Sequence, residues 1–248
     1  MKRRKKSAAG CMVLLLLAVT WKLMFPANLP SEAPNSLSVP ALTQAEEVPD
    51  TELPFSLVYK DGMPLIVELD GGFPSFSQDE LALEPYESYA PLDNLGRCGI
   101  AMAMLDRSLM PTEERGSIGQ VKPSGWHTVR YDDLISDRYL YNRCHLIAYC
   151  LAGENANERN LITGTRAMNL AMLPYETEIA QYIEDTGDRV AYRVTPHFIG
   201  AELVARGVEI EAQSVAAPDG ISLHVFCYNI QPGIEIDYAT GESWAKTN

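Results

Sequence analysis

The chain has 248 residues, 46% of them apolar, and a formal net charge of −13. That length and apolar share suit one globular domain with a tail. A net-acidic protein repels nucleic acid at long range, so binding it over a broad basic face is excluded.

The N-terminus has its own composition. Lys2, Arg3, Arg4, Lys5 and Lys6 precede an apolar run from Met12 to Val19, which Trp21, Leu23, Met24 and Phe25 extend past Lys22. A basic flank before a short apolar core reads as a secretory signal or an uncleaved membrane anchor over residues 1–25. The core is short for a bilayer span, which needs about 20 residues, yet Lys22 near its end can snorkel. Cys11 precedes the run, which argues against a lipoprotein cleavage site. The expected location is secreted, or anchored on the outer face of the cell membrane. Pro26, Pro30, Pro34, Pro40, Pro49 and Pro54 then punctuate a polar stretch. It reads as a disordered tether over 26–60, ahead of one domain at 61–248. Six of the basic groups fall in residues 1–30, leaving −19 on the remainder.

Leu65 to Leu69 is a short apolar strand candidate, followed by an Asp70-Gly71-Gly72 turn. Phe76 to Tyr89 is acidic and reads as a loop with a helical turn. Arg97 to Leu105 reads as a core strand. Pro111 to Gly125 is turn-rich and polar, a surface loop of the kind that carries function. Trp126 to Tyr131 alternates like a strand. Tyr139 to His145 is the next strand, Leu146 to Ala152 a short helix or turn, and Gly153 to Asn160 a polar loop. Leu161 to Thr165 is a strand leading into a helix over Arg166 to Asp185. Pro174 is expected to bend that helix and open a new first turn, and Gly187 to stop it. Ile179, Tyr182 and Ile183 form its apolar stripe. Arg189–Val194, Ala201–Val215 and Ile221–Ile230 are three further strands. Gly207 is a candidate bulge, and Pro218-Asp219-Gly220 a hairpin turn. Strands, then two strands and a helix, then strands again indicate α+β, with an antiparallel sheet core. Cys98, Cys144, Cys150 and Cys227 permit two disulfides in three connectivities, or buried free thiols.

The stretch from Tyr141 to Glu176 reads YNRCHLIAYCLAGENANERNLITGTRAMNLAMLPYE. Its residue types suit phosphodiester chemistry. A neutral imidazole, His145, can take a proton from water. Arginines can neutralise phosphate charge, and Asn and Glu oxygens suit a hard cation such as Mg²⁺. Residues 121–170 also carry a net +1 in a −19 background, which allows a local attractive cleft in an acidic protein.

Asn142-Arg143-Cys144-His145 resembles the Asp-Arg-Gly-His motif of the DNA/RNA non-specific endonucleases, the ββα-metal or His-Me finger nucleases. It departs from the motif at Asn142 and Cys144. Asn160 and Asn169 lie nine apart, and Glu176 seven beyond Asn169, which matches that family's spacing. The likeness runs from about Val67 to about Ser243. It implies an embedded ββα-metal finger, His145 as general base and Asn169 as the sole direct protein ligand of Mg²⁺, with Mn²⁺ as a substitute. It implies catalytic roles for Arg143, Asn160 and Glu176, with Glu178 the rival carboxylate. Arg166 and Asn142 would contact substrate. The substrates implied are DNA and often RNA, with little sequence preference. Asn160 is open to a second reading, as the residue that starts the second strand. His127, His197 and His224 lack such neighbours and read as structural. Cys144, His145 and Cys150 also raise a zinc site, though their spacing matches no common zinc motif. The rival from another class is a catalytically inactive, surface-tethered DNA-binding module.

Overall fold

Three segments with apolar residues at every second position build the centre of the molecule. Val190, Tyr192 and Val194 lie on one strand, Val208, Ile210 and Ala212 on the next, and Leu223, Val225 and Cys227 on the third. A period of two puts each set on one face of a sheet. The computed structural model describes residues 55–217 and 220–247. Its strands in chain order begin with β1 (Ile66–Glu68), β2 (Tyr86–Tyr89) and β3 (Ala101–Leu105). After β4 (Tyr141–His145) and β5 (Leu161–Thr165) come β6 (Val190–His197), β7 (Gly207–Ser214) and β8 (Ser222–Tyr228), then β9 (Ile234–Ile236) and β10 (Ser243–Ala245). One antiparallel sheet has the order β1-β8-β7-β6-β3-β2. β4 pairs with β5, and β9 with β10, as separate ribbons. The architecture is the expected α+β, with a mostly antiparallel core.

Short helices α1 (Gln78–Leu81) and α2 (Tyr149–Ala152) flank the sheet, and α3 (Arg166–Thr186) is the long one. Thr165 caps α3 by accepting a hydrogen bond from the Met168 amide. Met168, Met172, Ile179 and Ile183 form its buried stripe, at the i, i+4, i+11 and i+15 spacing of one helix face. That stripe packs on the sheet face built by β6, β7 and β8. Gly187 ends the helix at φ 70°, in the left-handed region that favours glycine.

Several expectations are corrected. Pro174 does not divide the helix, which runs unbroken through it. The amide bond that proline removes would have gone to Leu170, and both residues are exposed, where water can satisfy the freed carbonyl. Trp126–Tyr131 is not a strand; only an isolated bridge, Arg130 to Tyr139, forms there. The acidic stretch ending at Tyr89 holds edge strand β2, paired with β3. Gly207 pairs regularly with His197 and Tyr228. A Cβ there would meet the Cys227 carbonyl oxygen at 2.4 Å, so close strand approach, not a bulge, selects glycine. Residues ahead of position 61 also pack on this sheet. Leu57 is buried, and the Phe55 ring lies 4.6 Å from that of Phe226. The N-terminal signal or anchor and the rest of the tether lie outside the described residues, as do Pro218 and Asp219. No helix among the described residues is long and apolar enough to cross a membrane. All four described cysteines are free thiols.

Candidate active site

The site is assembled where β4, β5 and α3 meet the 111–125 loop. In the β4–β5 ribbon His145 pairs with Leu161 and Tyr141 with Thr165, and α3 starts at the next residue. Two buried asparagines lock this unit. Asn160 Oδ1 accepts from the Ile147 amide at 2.8 Å, and its Nδ2 donates to the Ile147 carbonyl at 3.0 Å. Asn229 Oδ1 accepts from the Thr165 amide at 2.8 Å, while its Nδ2 donates to the Thr163 and Ala205 carbonyls. Asn229 thereby ties β5 to the segment that enters β7. Asn160 is fully buried with both amide ends engaged, and it holds the backbone after His145.

An open cleft of roughly 570 Å³ lies against the unit. Arg115, Asn142, Arg143, Arg166 and Asn169 line it, together with Trp126. His145 sits just behind Arg115, 7% exposed. Its Nε2 is 2.9 Å from the Asn155 carbonyl oxygen. A carbonyl only accepts, so Nε2 carries the proton. Nδ1 is then left with a bare lone pair, and Arg115 Nη2 donates to it at 3.2 Å. Burial pushes the His145 pKa below the ordinary histidine value; the Asn155 carbonyl opposes this and the Arg115 cation adds to it. The ring is a neutral base at neutral pH.

Asn169 stands one turn into α3, half-buried. Its Oδ1 accepts from the Cys144 thiol at 3.2 Å, which leaves one carbonyl lone pair unused. Glu176, seven residues on, lies on the same helical face. Burial drives its carboxyl up to about 7, against the pull of Arg115. Asn142 Nδ2 is a buried donor without a partner among the described residues, and Asn142 lines the cleft. Such an orphan is costly unless something binds it. Asn155 Oδ1 is a second orphan, an acceptor.

The arginines differ in how firmly they are held. The Arg143 guanidinium donates to the Val121 and Gly119 carbonyls and stacks on Trp126 at 4.0 Å. It braces the loop as well as facing the cleft. Arg166 Nε lies 2.8 Å from Asp137 Oδ2. Arg115, on an exposed stretch of loop, is held to His145 alone among the hydrogen bonds described. Arg115 escaped the sequence reading because 30 residues and no periodic pattern separate it from His145. Only the loop's polar, turn-rich composition marked the neighbourhood.

Cys144, His145 and Cys150 do not converge as a zinc site. Among the described residues one group of three such side chains brings its ligand atoms within 4.8 Å, namely Glu209, Glu211 and His224. It lies on the other face of the sheet. Arg193, Ser75, His197 and His224 already hydrogen-bond those carboxylates, so the group is internally satisfied.

Comparison with known proteins places the chain in a family. The family model for DNA/RNA non-specific endonuclease matches residues 78–216. NucA from Streptococcus agalactiae, solved with a magnesium ion bound, is similar with a TM-score of 0.64 and 29% identity, over 73% of this chain and 88% of that one. The Sda1 nuclease, solved with a bound zinc ion, gives 0.54 and 26%, over 65% of this chain and 82% of that one. The chain belongs to the DNA/RNA non-specific endonuclease family, and it is a nuclease.

Proposed function

We propose that this nuclease hydrolyses phosphodiester bonds in DNA, with RNA as a second substrate, using His145 as general base and a Mg²⁺ ion at Asn169. The observation that carries the reading is the state of His145. Its proton is fixed on Nε2 by the Asn155 carbonyl, and its bare Nδ1 faces a donor in the cleft. The Arg115 N–H sits where a water O–H would donate to the same lone pair. When Arg115 moves to a phosphate oxygen, Nδ1 is free to take a proton from the attacking water.

The residues fit a hard cation. Asn169 offers a neutral carbonyl oxygen with a spare lone pair, and Glu176 stands on the same face to hold a water near it. A divalent ion there supplies positive charge for the phosphoryl oxygens and the leaving 3′-oxygen. Mn²⁺ has the same preference for oxygen and substitutes. Magnesium in NucA and zinc in Sda1 support a divalent metal in this fold. The Asn142 amide, unpaired at the cleft, donates to substrate. Arg115, Arg143 and Arg166 neutralise phosphate charge. Asn160 acts through the backbone after His145, as a positioning residue.

The basic flank and apolar run of residues 1–25 support export, with the domain released or tethered at the outer face of the membrane. The test is metal-dependent cleavage of plasmid by the domain. Chelation should stop cleavage at once, and added Mg²⁺ or Mn²⁺ should restore it, because one neutral ligand holds the ion weakly. Asn169→Ala should require far more metal than Asn157→Ala. A metal response unchanged in Asn169→Ala, with the fold intact, would remove Asn169 from the site.

A further inference from the structure

Cys144 occupies the place where the resembled motif has glycine, and nothing in the reaction above uses it. It lies between Arg143 and His145 on β4. A strand period of two turns its side chain to the opposite face from theirs, towards α3. There it is buried, 1% exposed, with its sulfur 3.2 Å from Asn169 Oδ1. Room for it comes from the facing strand. A Cβ on Gly164 would meet Cys144 Sγ at 2.3 Å and Met168 Cε at 2.6 Å. The pair Cys144 and Gly164 is thus a matched packing unit beneath the first turn of α3.

We infer that Cys144 is a positioning residue for metal binding, whose thiol sets which end of the Asn169 amide is presented as ligand. The two ends of an asparagine amide have the same shape and opposite chemistry. One accepts and can ligate a cation; the other carries two N–H groups and repels it. A buried S–H is a donor, so it favours the rotamer with Oδ1 beside it. Oδ1 keeps a second lone pair for the cation. A glycine at position 144 would leave both flips equal in this respect. The thiol plays the part that outer hydrogen-bond partners play at other metal sites, where their loss costs roughly 10–100-fold in metal affinity or activity. This inference rests on Asn169 as the ligand.

Two measurements on the described domain test it. The first follows cleavage as a function of Mg²⁺ concentration in Cys144→Ala, Cys144→Ser and Asn169→Asp. Cys144→Ala should raise the half-activating concentration roughly tenfold or more, with a smaller change in the rate at saturation. Cys144→Ser, whose hydroxyl also donates, should recover part of the loss. In an Asn169→Asp background the same Cys144→Ala change should cost little, because either carboxylate oxygen can ligate. The second measurement needs no metal and no turnover. The infrared S–H stretching band of Cys144, isolated as the difference between wild type and Cys144→Ala, should show a hydrogen-bonded thiol, and Asn169→Ala should shift it to a free one. An unshifted band, or an unchanged Mg²⁺ response in a folded Cys144→Ala, overturns the inference. If Asn169→Ala itself leaves the Mg²⁺ response unchanged, the ligand assignment fails first and the inference falls with it.

Discussion

His145 and His224 are both buried, and they stand on elements that serve opposite ends. In the finger, His145 has an acceptor at Nε2, the Asn155 carbonyl, and a cationic donor at Nδ1, Arg115. On the outer face of the six-stranded sheet, His224 has the Phe73 carbonyl 3.2 Å from Nδ1 and Glu209 Oε1 2.7 Å from Nε2. Both of those partners are hydrogen-bond acceptors. Glu209 also receives His197 at 2.8 Å, and Glu211 beside it is bound by Arg193 and Ser75. Every group in that outer network has its complement. The finger instead leaves an unpaired Asn142 amide N–H group, an unpaired Asn155 side-chain oxygen and a carboxyl that resists ionising. Unfinished hydrogen bonding of this kind suits the proposed site, where a substrate and a cation would complete it.

Removing Arg115 should break the finger's half of this contrast most severely. Arg115→Ala takes away a cation that faces the cleft and the neighbour that depresses the His145 pKa. Single-turnover cleavage should fall by roughly 10²–10³-fold, the usual cost of one donor to developing charge. The acid limb of the pH–rate profile should also move to higher pH, because His145 loses a nearby positive charge and holds its proton more tightly. Stability should change little, since Arg115 is exposed. A rate profile that keeps both its height and its position would separate Arg115 from the base.

Glu176 sharpens the contrast through the sign of its pH dependence. Its folded pKa lies above the unfolded value, at about 7. The neutral carboxyl is therefore favoured in the folded state, and its stabilisation is present at low pH and lost as pH rises through about 7. Glu176→Gln should remove that loss and stabilise the metal-free domain by about 1–3 kcal/mol at pH 8, with no gain near pH 4. The same change should slow Mg²⁺-dependent cleavage by roughly 10–100-fold. Thermal melts and rates on one preparation measure both. A variant that is neither more stable at pH 8 nor slower would deny Glu176 its place beside the metal.

His224→Ala tests the other face with the smallest effect on chemistry. It should cost about 1–3 kcal/mol by leaving Glu209 Oε1 and the Phe73 carbonyl without the His224 donor, while the cleavage rate of the folded protein stays at the wild-type value. Burial alone would raise the Glu209 pKa, but hydrogen bonds from His197 and His224 more than offset it. That stabilisation is present above the ordinary carboxylate range and lost as pH falls through the depressed value. The variant's acid unfolding should accordingly be less steep. Loss of activity without loss of stability would erase the division between the two faces.

Local patterns carried most of the finger. The run through Asn142, Arg143, Cys144 and His145 set β4, the Leu161–Thr165 run set β5, and the helix start and Gly187 stop set α3. Alternation likewise made β6, β7 and β8 legible, because one face of each is apolar. What failed was decided by tertiary surroundings. Trp126–Tyr131 alternates yet finds no partner strand, since Trp126 is committed to Arg143. Pro174 reads as a break, but the buried methionines and isoleucines of the opposite face hold the helix through it. Residues 55–60 follow a proline-rich stretch, yet Phe55 and Leu57 find an apolar patch around Phe226 that no local rule announces. Arg115 was hidden because contact between distant loops leaves no period. The readings of His197 and His224 as structural agree with the outer network, although the shared carboxylate between them was not visible in sequence.

In the proposed reaction a neutral His145 removes the proton from the attacking water. The direct test is the single-turnover rate of plasmid cleavage by His145→Ala at saturating Mg²⁺, with folding checked by thermal melt. The rate should fall roughly 10²–10⁴-fold with the folded structure retained. A folded His145→Ala that cleaves at the wild-type rate would contradict that role for His145.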